Sequence, residues 1–330
     1  MRSALAICLA LLLAIAALAG SAAARPGMTR TTVRIAPEWR VPDALWIPFL
    51  VARDRGFYRA AGLDVQLVLP SASRSTTALV AAGSAEVGFA TTPELVYARR
   101  AGRPVVSIAN LTAHNNWGIY ALSGTTVDAP GLLGKRIAVD GGIWSTIMLP
   151  YVLESAGLEL AAVQQVPSPA GVIPALIDKR AELAADVTNF GGAEARYRTG
   201  RTPAFLPGTA AGAPDIPVWT YLANGTWLTR DPASAKAWLA ATSAATRWAV
   251  AHPAQAVAIL EAAYPGTRHL HRLNLLAWSA TVPLLGPLRQ HDQQWSELTA
   301  AMIKSQQLRR AQPPESYFTN RYLPRVKRQP

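Results

Sequence analysis

The chain has 330 residues, a net charge of +12 from 32 Lys and Arg against 20 Asp and Glu, and a single cysteine, Cys8. Cys8 falls in an apolar leader, so the rest of the chain has no disulfide, no thiolate metal site and no cysteine nucleophile, and its stability must come from a buried core. The positive charges are scattered singly and are mostly arginine, except at Arg325-Val326-Lys327-Arg328; no basic stripe with interleaved aromatics points to nucleic acid.

Residues 1–24 read as a secretory signal peptide: Arg2 is a short positive region, 4–18 are apolar, and Ala22-Ala23-Ala24 offers a small-residue cleavage site. The rival reading, an uncleaved anchor, is disfavoured because the apolar run is short against the ~20 residues a spanning helix needs. A first strand is predicted over 32–36. Loop 37–43 leads into a helix with Trp46, Phe49, Leu50 and Phe57 at helical spacing, stops at Gly56 and Gly62, and a turn at Phe57-Tyr58. Val65, Leu67 and Leu69 then alternate as a strand over 65–69. A Ser/Thr-rich turn at 70–77 opens a helix ending at Gly83, and 87–89 is a third strand. Thr92 is expected to be an N-cap with Pro93 at the first helical position, and 105–109 is a fourth strand.

Extended segments at 118–122 and 219–222 bracket a second unit with strands 137–139, 164–166 and 183–187 and helices 145–156 and 172–179. Pro150 should kink or split the first of these helices. From Asp231 onward the chain reads as almost wholly helical, with a break at Ala251-His252-Pro253. LVAAGSAEVGF at 79–89 is echoed by LIDKRAELAA at 176–185: a helix end, a turn, Ala-Glu and a strand, with Glu94 and Glu194 a few residues on. The echo suggests two lobes on one plan. Strands alternating with helices imply an α/β fold with mainly parallel, helix-covered sheets.

In such folds ligands sit beyond the carboxyl ends of the strands. The loops there carry Trp39, Trp46, Trp117 and Trp144, four of the ten tryptophans, with Ser71, Ser73, Thr91, Thr92, Asn115, Asn116, Ser145, Asn189 and Phe190. Aromatic walls with a few directional polar groups make a small-molecule site. Any one of these tryptophans is as readily a core anchor; four at strand ends favour the joint reading. Ser71-Ala72-Ser73 and the run Gly141, Gly142, Ile143, Trp144, Ser145 would present N–H groups at helix starts, which suits an anionic solute, and Gly142 allows close backbone approach. No G-x-S-x-G, H-E-x-x-H or G-x-G-x-x-G follows, and no lysine completes a phosphate loop. His114 could bond a ligand or serve structure. Glu94 and Glu194 could face the cleft as an acid/base pair, cap helices or accept ligand N–H groups. His269 and His271 have no acidic partner nearby in sequence, so neither a metal nor a cofactor is expected.

The segment LWIPFLVARDRGFYRAAGLDVQLVL at 45–69 resembles the opening of periplasmic solute-binding proteins of ABC transporters, where a helix with A-x-x-x-G-F/Y-F/Y is followed by G-L-D-V. The resemblance continues through ALVAAGSAEVGFATTPELVYARRAGRPVVSIANLTAHNNWGIYAL, APGLLGKRIAVDGG and WTYLANGTWLTRDPASAKAWLAATSAATRWAVAHPAQAVAIL, covering most of 33–262. The branch is similar to the nitrate/sulfonate/taurine and thiamine-pyrimidine-precursor binders. It implies a type II, Venus-flytrap fold with 25–118 plus 222–330 as one lobe, 119–221 as the other, and the ligand cleft between them. It further implies a periplasmic monomer that delivers a heteroaromatic or anionic organic solute to a permease and its ATPase, without catalysis. Pyrimidine-related members often carry Asn-His where this chain has Leu45-Trp46, and the synthases of the family use a cysteine-rich loop where it has Thr188-Asn189-Phe190-Gly191-Gly192. The alternatives are a periplasmic enzyme on the same scaffold, using His114 with Glu94 or Glu194, or a synthase-like protein.

Overall fold

The computed structural model describes residues 30–324; the proposed signal peptide with Cys8 and the basic cluster Arg325-Val326-Lys327-Arg328 lie outside the described residues. Ten strands form two five-stranded sheets. The first has the order β2-β1-β3-β10-β4, from β1 (Thr31–Ala36), β2 (Leu63–Leu67), β3 (Val87–Thr91), β4 (Val105–Asn110) and β10 (Trp219–Asn224). The second has the order β7-β6-β8-β5-β9, from β5 (Trp117–Ala121), β6 (Arg136–Val139), β7 (Gln164–Pro167), β8 (Leu183–Val187) and β9 (Ala204–Pro207). In each sheet the strand that follows a crossing between sheets opposes the other four: β10 is antiparallel to β3 and β4, and β5 to β8 and β9. The fold is thus α/β with two mixed, mainly parallel sheets.

The Ala-Glu echo has a shared mechanism. Glu86 accepts from the Arg34 backbone N–H at 2.7 Å and from its guanidinium, while Glu182 accepts from the Arg136 backbone N–H at 3.1 Å. Each glutamate therefore ties the turn before one strand to its parallel neighbour, β3 to β1 and β8 to β6. Three residues earlier each turn needs a left-handed backbone: Gly83 at φ 70° and Lys179 at φ 60°. Glycine adopts that conformation freely; lysine does so at a cost.

Two predicted elements shift. β2 begins two residues early because Thr31 to Ile35 of β1 pair in register with Leu63 to Leu67, which leaves Leu69 exposed. The edge strand β9 was not expected; at four residues, ending in Pro207, it is too short for alternation to show. Pro150 lies inside the continuous helix Ile143–Glu154 rather than dividing it. The carbonyl it leaves without an intrahelical donor belongs to Thr146, which is exposed to water.

Helix Ile47–Asp54 is buried from Ile47 through Ala52 and packs on helices Pro232–Ala251 and Pro253–Ala263, the first of which also touches β2. Each large aliphatic side chain buried there contributes about 1.5–3 kcal/mol. Two later helices reach both sheets. His271–Thr281 touches the turn Ala44–Trp46 and also Thr188–Gly192 and Ala193–Thr199; Asp292–Lys304 touches Thr92–Arg100 and Ile143–Glu154. Among the described residues no helix is long and apolar enough to cross a membrane.

Candidate functional site

The ends of β1 and β3 and the start of β10 converge, because Trp219 pairs with Thr91 in antiparallel register and β1 lies beside β3. Glu38, two residues past β1, is held at that junction. Its Oε1 accepts from Thr91 N at 3.1 Å and its Oε2 from Trp219 Nε1 at 2.9 Å. Burial and the neighbouring Glu94 carboxylate push Glu38 up to about 8, against the hydrogen bonds that pull it down. Burial likewise raises Glu94, which lies in the first turn of helix Thr92–Arg100.

Aromatic rings from both sheets close over this point. Trp39 meets Phe89 and Phe190 edge-on, each at 5.5 Å, and Trp219 at 6.4 Å; Phe190 meets Trp219 at 5.7 Å. Such pairs gain about 0.5–1.5 kcal/mol beyond their area. Phe190 comes from the turn Thr188–Gly192 after β8, so it is the second sheet's contribution. The turn can sit there because two glycines lack side chains: a Cβ on Gly191 would fall 2.6 Å from Asp186 Cβ, and one on Gly192 would fall 2.8 Å from the Tyr120 hydroxyl. Asn116 Nδ2 donates to Asn189 Oδ1 at 2.8 Å and to Thr188 Oγ1 at 3.0 Å. Both amides are buried, and Asn116 Oδ1 and Asn189 Nδ2 have no hydrogen-bond partner.

The crossovers 111–116 and 208–218 are fastened to each other. Asp215 accepts from Asn115 N at 2.9 Å and lies 2.9 Å from His114 Nδ1. Asn115 donates to the Pro214 carbonyl at 3.0 Å, and its Oδ1 accepts from Trp117 N at 3.1 Å and Trp144 Nε1 at 3.2 Å.

The residues expected from sequence therefore divide. Trp39, Glu94 and Phe190 meet at the junction, with Thr91 bonded to Glu38 there and Asn189 beside Phe190 in the same turn. Trp46 does not: it is fully buried against Phe49 and Tyr264, in the packing with the C-terminal helices. Trp117 and Ser145 bond each other at 3.0 Å inside the second sheet's core, and Trp144 is spent on Asn115. His114 is largely exposed and engaged by Asp215. Thr92 Oγ1 donates to the Pro217 carbonyl at 2.9 Å, while Thr91 stands at the N-cap position. Ser71 and Ser73 lie in an exposed turn and face each other at 3.3 Å. Gly142 N is already taken by Asp140 Oδ1 at 2.8 Å, so the protein's own carboxylate occupies that helix start. Glu194 pairs with Arg198 at 2.7 Å one turn along its helix, and Glu94's carboxylate neighbour is Glu38. His271, expected to lack an acidic partner, has Glu261 at 3.0 Å. Among the described residues no group of three or more His, Cys, Asp or Glu is placed to hold a metal.

A family model described as NMT1/THI5 like matches residues 44–256, well over half of the chain. The chain belongs to the NMT1/THI5-like family. It is 30% identical over 102 residues to the 4-amino-5-hydroxymethyl-2-methylpyrimidine phosphate synthase THI11 of Saccharomyces cerevisiae, 30% of each chain. It is 28% identical over 127 residues to the formylaminopyrimidine-binding protein of Halalkalibacterium halodurans, 38% of each chain. The match thus spans about a third of the length of these curated relatives. Among solved structures, the periplasmic aliphatic sulphonate binding protein of Escherichia coli superposes with a TM-score of 0.69 at 16% identity, over 91% of this chain and 95% of that one. That likeness establishes the periplasmic-binding-protein fold.

Two residues at the junction of this family member, Glu38 and Trp219, were not singled out from sequence. Glu38 sat unremarked in a loop read for its tryptophans, and Trp219 was read only as the first residue of a strand. The available signal for Trp219 was its position: it is the first strand residue after the second crossover.

Proposed function

We propose that this protein is the solute-binding component of an import system, capturing a small planar heteroaromatic solute between lobes formed by 25–118 plus 222–330 and by 119–221. It would work in the periplasm, to which the leader would send it, and hand the solute to a membrane permease driven by an ATPase. The observation that carries this reading is the meeting of Trp39 and Trp219 from the first sheet with Phe190 from the second, directly over Glu38. Flat rings on both sides suit a flat solute, and a carboxyl group that already accepts two hydrogen bonds keeps lone pairs for solute N–H groups. The formylaminopyrimidine in the name of one relative has a flat ring of this kind. Closure would turn the lobes about 111–116 and 208–218, the segments fastened through Asn115 and Asp215.

The rival reading, an enzyme using His114 with Glu94 or Glu194, lacks its constellation: His114 is bonded to Asp215 and Glu194 to Arg198. Native mass spectrometry of the purified protein, followed by thermal denaturation with a panel of pyrimidines, flavins, sulfonates and aromatic carboxylates, tests the proposal. A solute at 100 times its Kd adds about 2.7 kcal/mol. At roughly 2–4 °C per kcal/mol this raises Tm by about 5–10 °C. No shift with any compound, or turnover of a bound compound on long incubation, would overturn it.

A further inference from the structure

We propose that residues 271–304 form a strap, rooted in the first lobe and at the hinge, that holds the second lobe closed over the cleft before any solute arrives. This rests on the reading of two lobes that close about 111–116 and 208–218.

The strap is rooted at three places. Helix His271–Thr281 starts against Glu261 of helix Pro253–Ala263, which accepts from Asn274 Nδ2 at 2.9 Å and lies 3.0 Å from His271 Nδ1. Beyond that helix the chain runs along the first crossover. Ala113 N donates to the Leu284 carbonyl at 2.7 Å, and Asn110 N to the Leu288 carbonyl at 2.9 Å. Between these bonds Gly286 lies so close to Ala113 that a Cβ on it would overlap Ala113 Cβ. Helix Asp292–Lys304 is then fixed near its start, where Gln294 and Asn110 exchange amide hydrogen bonds of 2.8 and 3.3 Å.

From these roots both helices reach the second lobe. His271–Thr281 packs on 188–192, the turn that brings Phe190 to Trp39 and Trp219, and on helix Ala193–Thr199 that follows it. Asp292–Lys304 packs on Ile143–Glu154, and its last residue, Lys304, pairs with Glu154 and stands 4.2 Å over the Tyr151 ring. Opening the cleft must part these contacts, whereas the bonds to Glu261, Asn110 and Ala113 can persist. The Lys304–Glu154 pair is exposed, and water and salt weaken such a pair. It is therefore the releasable clasp of the strap. A closed fraction present before binding raises apparent affinity in proportion.

The test is the distance between the lobes without solute, read by double electron–electron resonance. Cys8 is the only cysteine of the chain, so Cys8→Ser with Ala72→Cys and Ala170→Cys puts one spin label on each lobe. Both alanines are exposed, in turns past the carboxyl ends of β2 and β7. The labelled parent is compared with three variants of it. Lys304→Met keeps an apolar stem beside Tyr151 and removes the charge. Gly286→Ala drives a methyl between the strap and the crossover, and Gly286→Ala/Ala113→Gly moves that methyl across the same contact and relieves it. The parent is expected to show mainly the short distance. Lys304→Met should raise the ratio of open to closed chains about three- to tenfold. Gly286→Ala should raise it further, and the double variant should return it to the parent value. Raising NaCl from 50 to 500 mM should open the parent and leave Lys304→Met unchanged. A parent that is mostly open, distances unchanged in both single variants, or opening in Gly286→Ala that the double variant does not reverse, overturns the strap. The thermal panel decides the reading beneath it separately: a solute that raises Tm keeps that reading even if the strap fails.

Discussion

The two sheets are built alike and equipped differently. Both use a glutamate before a strand to hold the neighbouring parallel strand, Glu86 on Arg34 and Glu182 on Arg136, and both precede it with a left-handed residue. Yet Glu86 keeps only 9% of its side chain exposed against 40% for Glu182. At the strand ends the first sheet gathers Glu38, Glu94, Trp39 and Trp219, while the second supplies Phe190 on a glycine turn. The shared plan is a scaffold property. The site is where the plan is departed from.

The comparison can be broken most forcefully where the sheets join. Asn115→Ala would leave two buried donors, Trp144 Nε1 and Trp117 N, and the part-buried Pro214 carbonyl without their partner. A loss of about 3 kcal/mol is expected in urea unfolding. His114→Ala, on the exposed side of the same knot, should cost less than about 1 kcal/mol. Similar losses for both would mean that the crossovers are not held by the buried amide.

Next come the equivalent glutamates. Glu86→Ala should cost about 2 kcal/mol, since it removes a well-buried carboxylate that accepts from the Arg34 guanidinium and from its backbone N–H. Glu182→Ala, facing water, should cost clearly less. Equal values would erase the distinction between the sheets drawn from their burial.

The carboxyls near the strand ends set a pH dependence. Burial raises Glu38 to about 8 and both Asp43 and Asp186 to about 7, all above the usual carboxylate range. The folded state therefore holds protons that the unfolded chain gives up. The stability this confers is complete below the unfolded values and is lost as pH rises through about 7 to 8. Tm without solute should accordingly be higher at pH 5.5 than at pH 8.5. Asp186→Asn, which keeps the acceptor for Val187 N, should flatten part of that slope; a steeper slope would contradict the assignment.

The smallest effect lies in the echoed turn. Lys179→Gly removes a left-handed lysine and should stabilise by about 1 kcal/mol, whereas Gly83→Lys, its mirror in the first sheet, should cost a similar amount.

What the sequence made legible follows the range of the interactions involved. Strand positions and the Ala-Glu echo are local patterns, and they correspond to β1, β3, β4, β6, β7 and β8 within a residue or two. Phe190 and Trp39 were legible because each sits in a loop just past a strand. Trp46 sits in such a loop too, but its neighbour Tyr264 is more than two hundred residues away, and that contact puts it in the core. Trp117 and Trp144 are turned inward by Ser145 and Asn115, partners that sequence had listed only as further candidates for the same site. Glu38 gains its character from Trp219 and Glu94, neither of which is near it in the chain. A single loop could not announce a carboxylate whose two donors arrive only once β1, β3 and β10 lie side by side.

A solute is proposed to sit where Trp39, Trp219 and Phe190 meet. Calorimetric titration of the natural chain and of Trp39→Ala with 4-amino-5-hydroxymethyl-2-methylpyrimidine tests it most directly. One site per chain is expected, with an affinity at least 100-fold weaker in the variant and its fold intact by circular dichroism. The same affinity in both proteins would place the solute elsewhere.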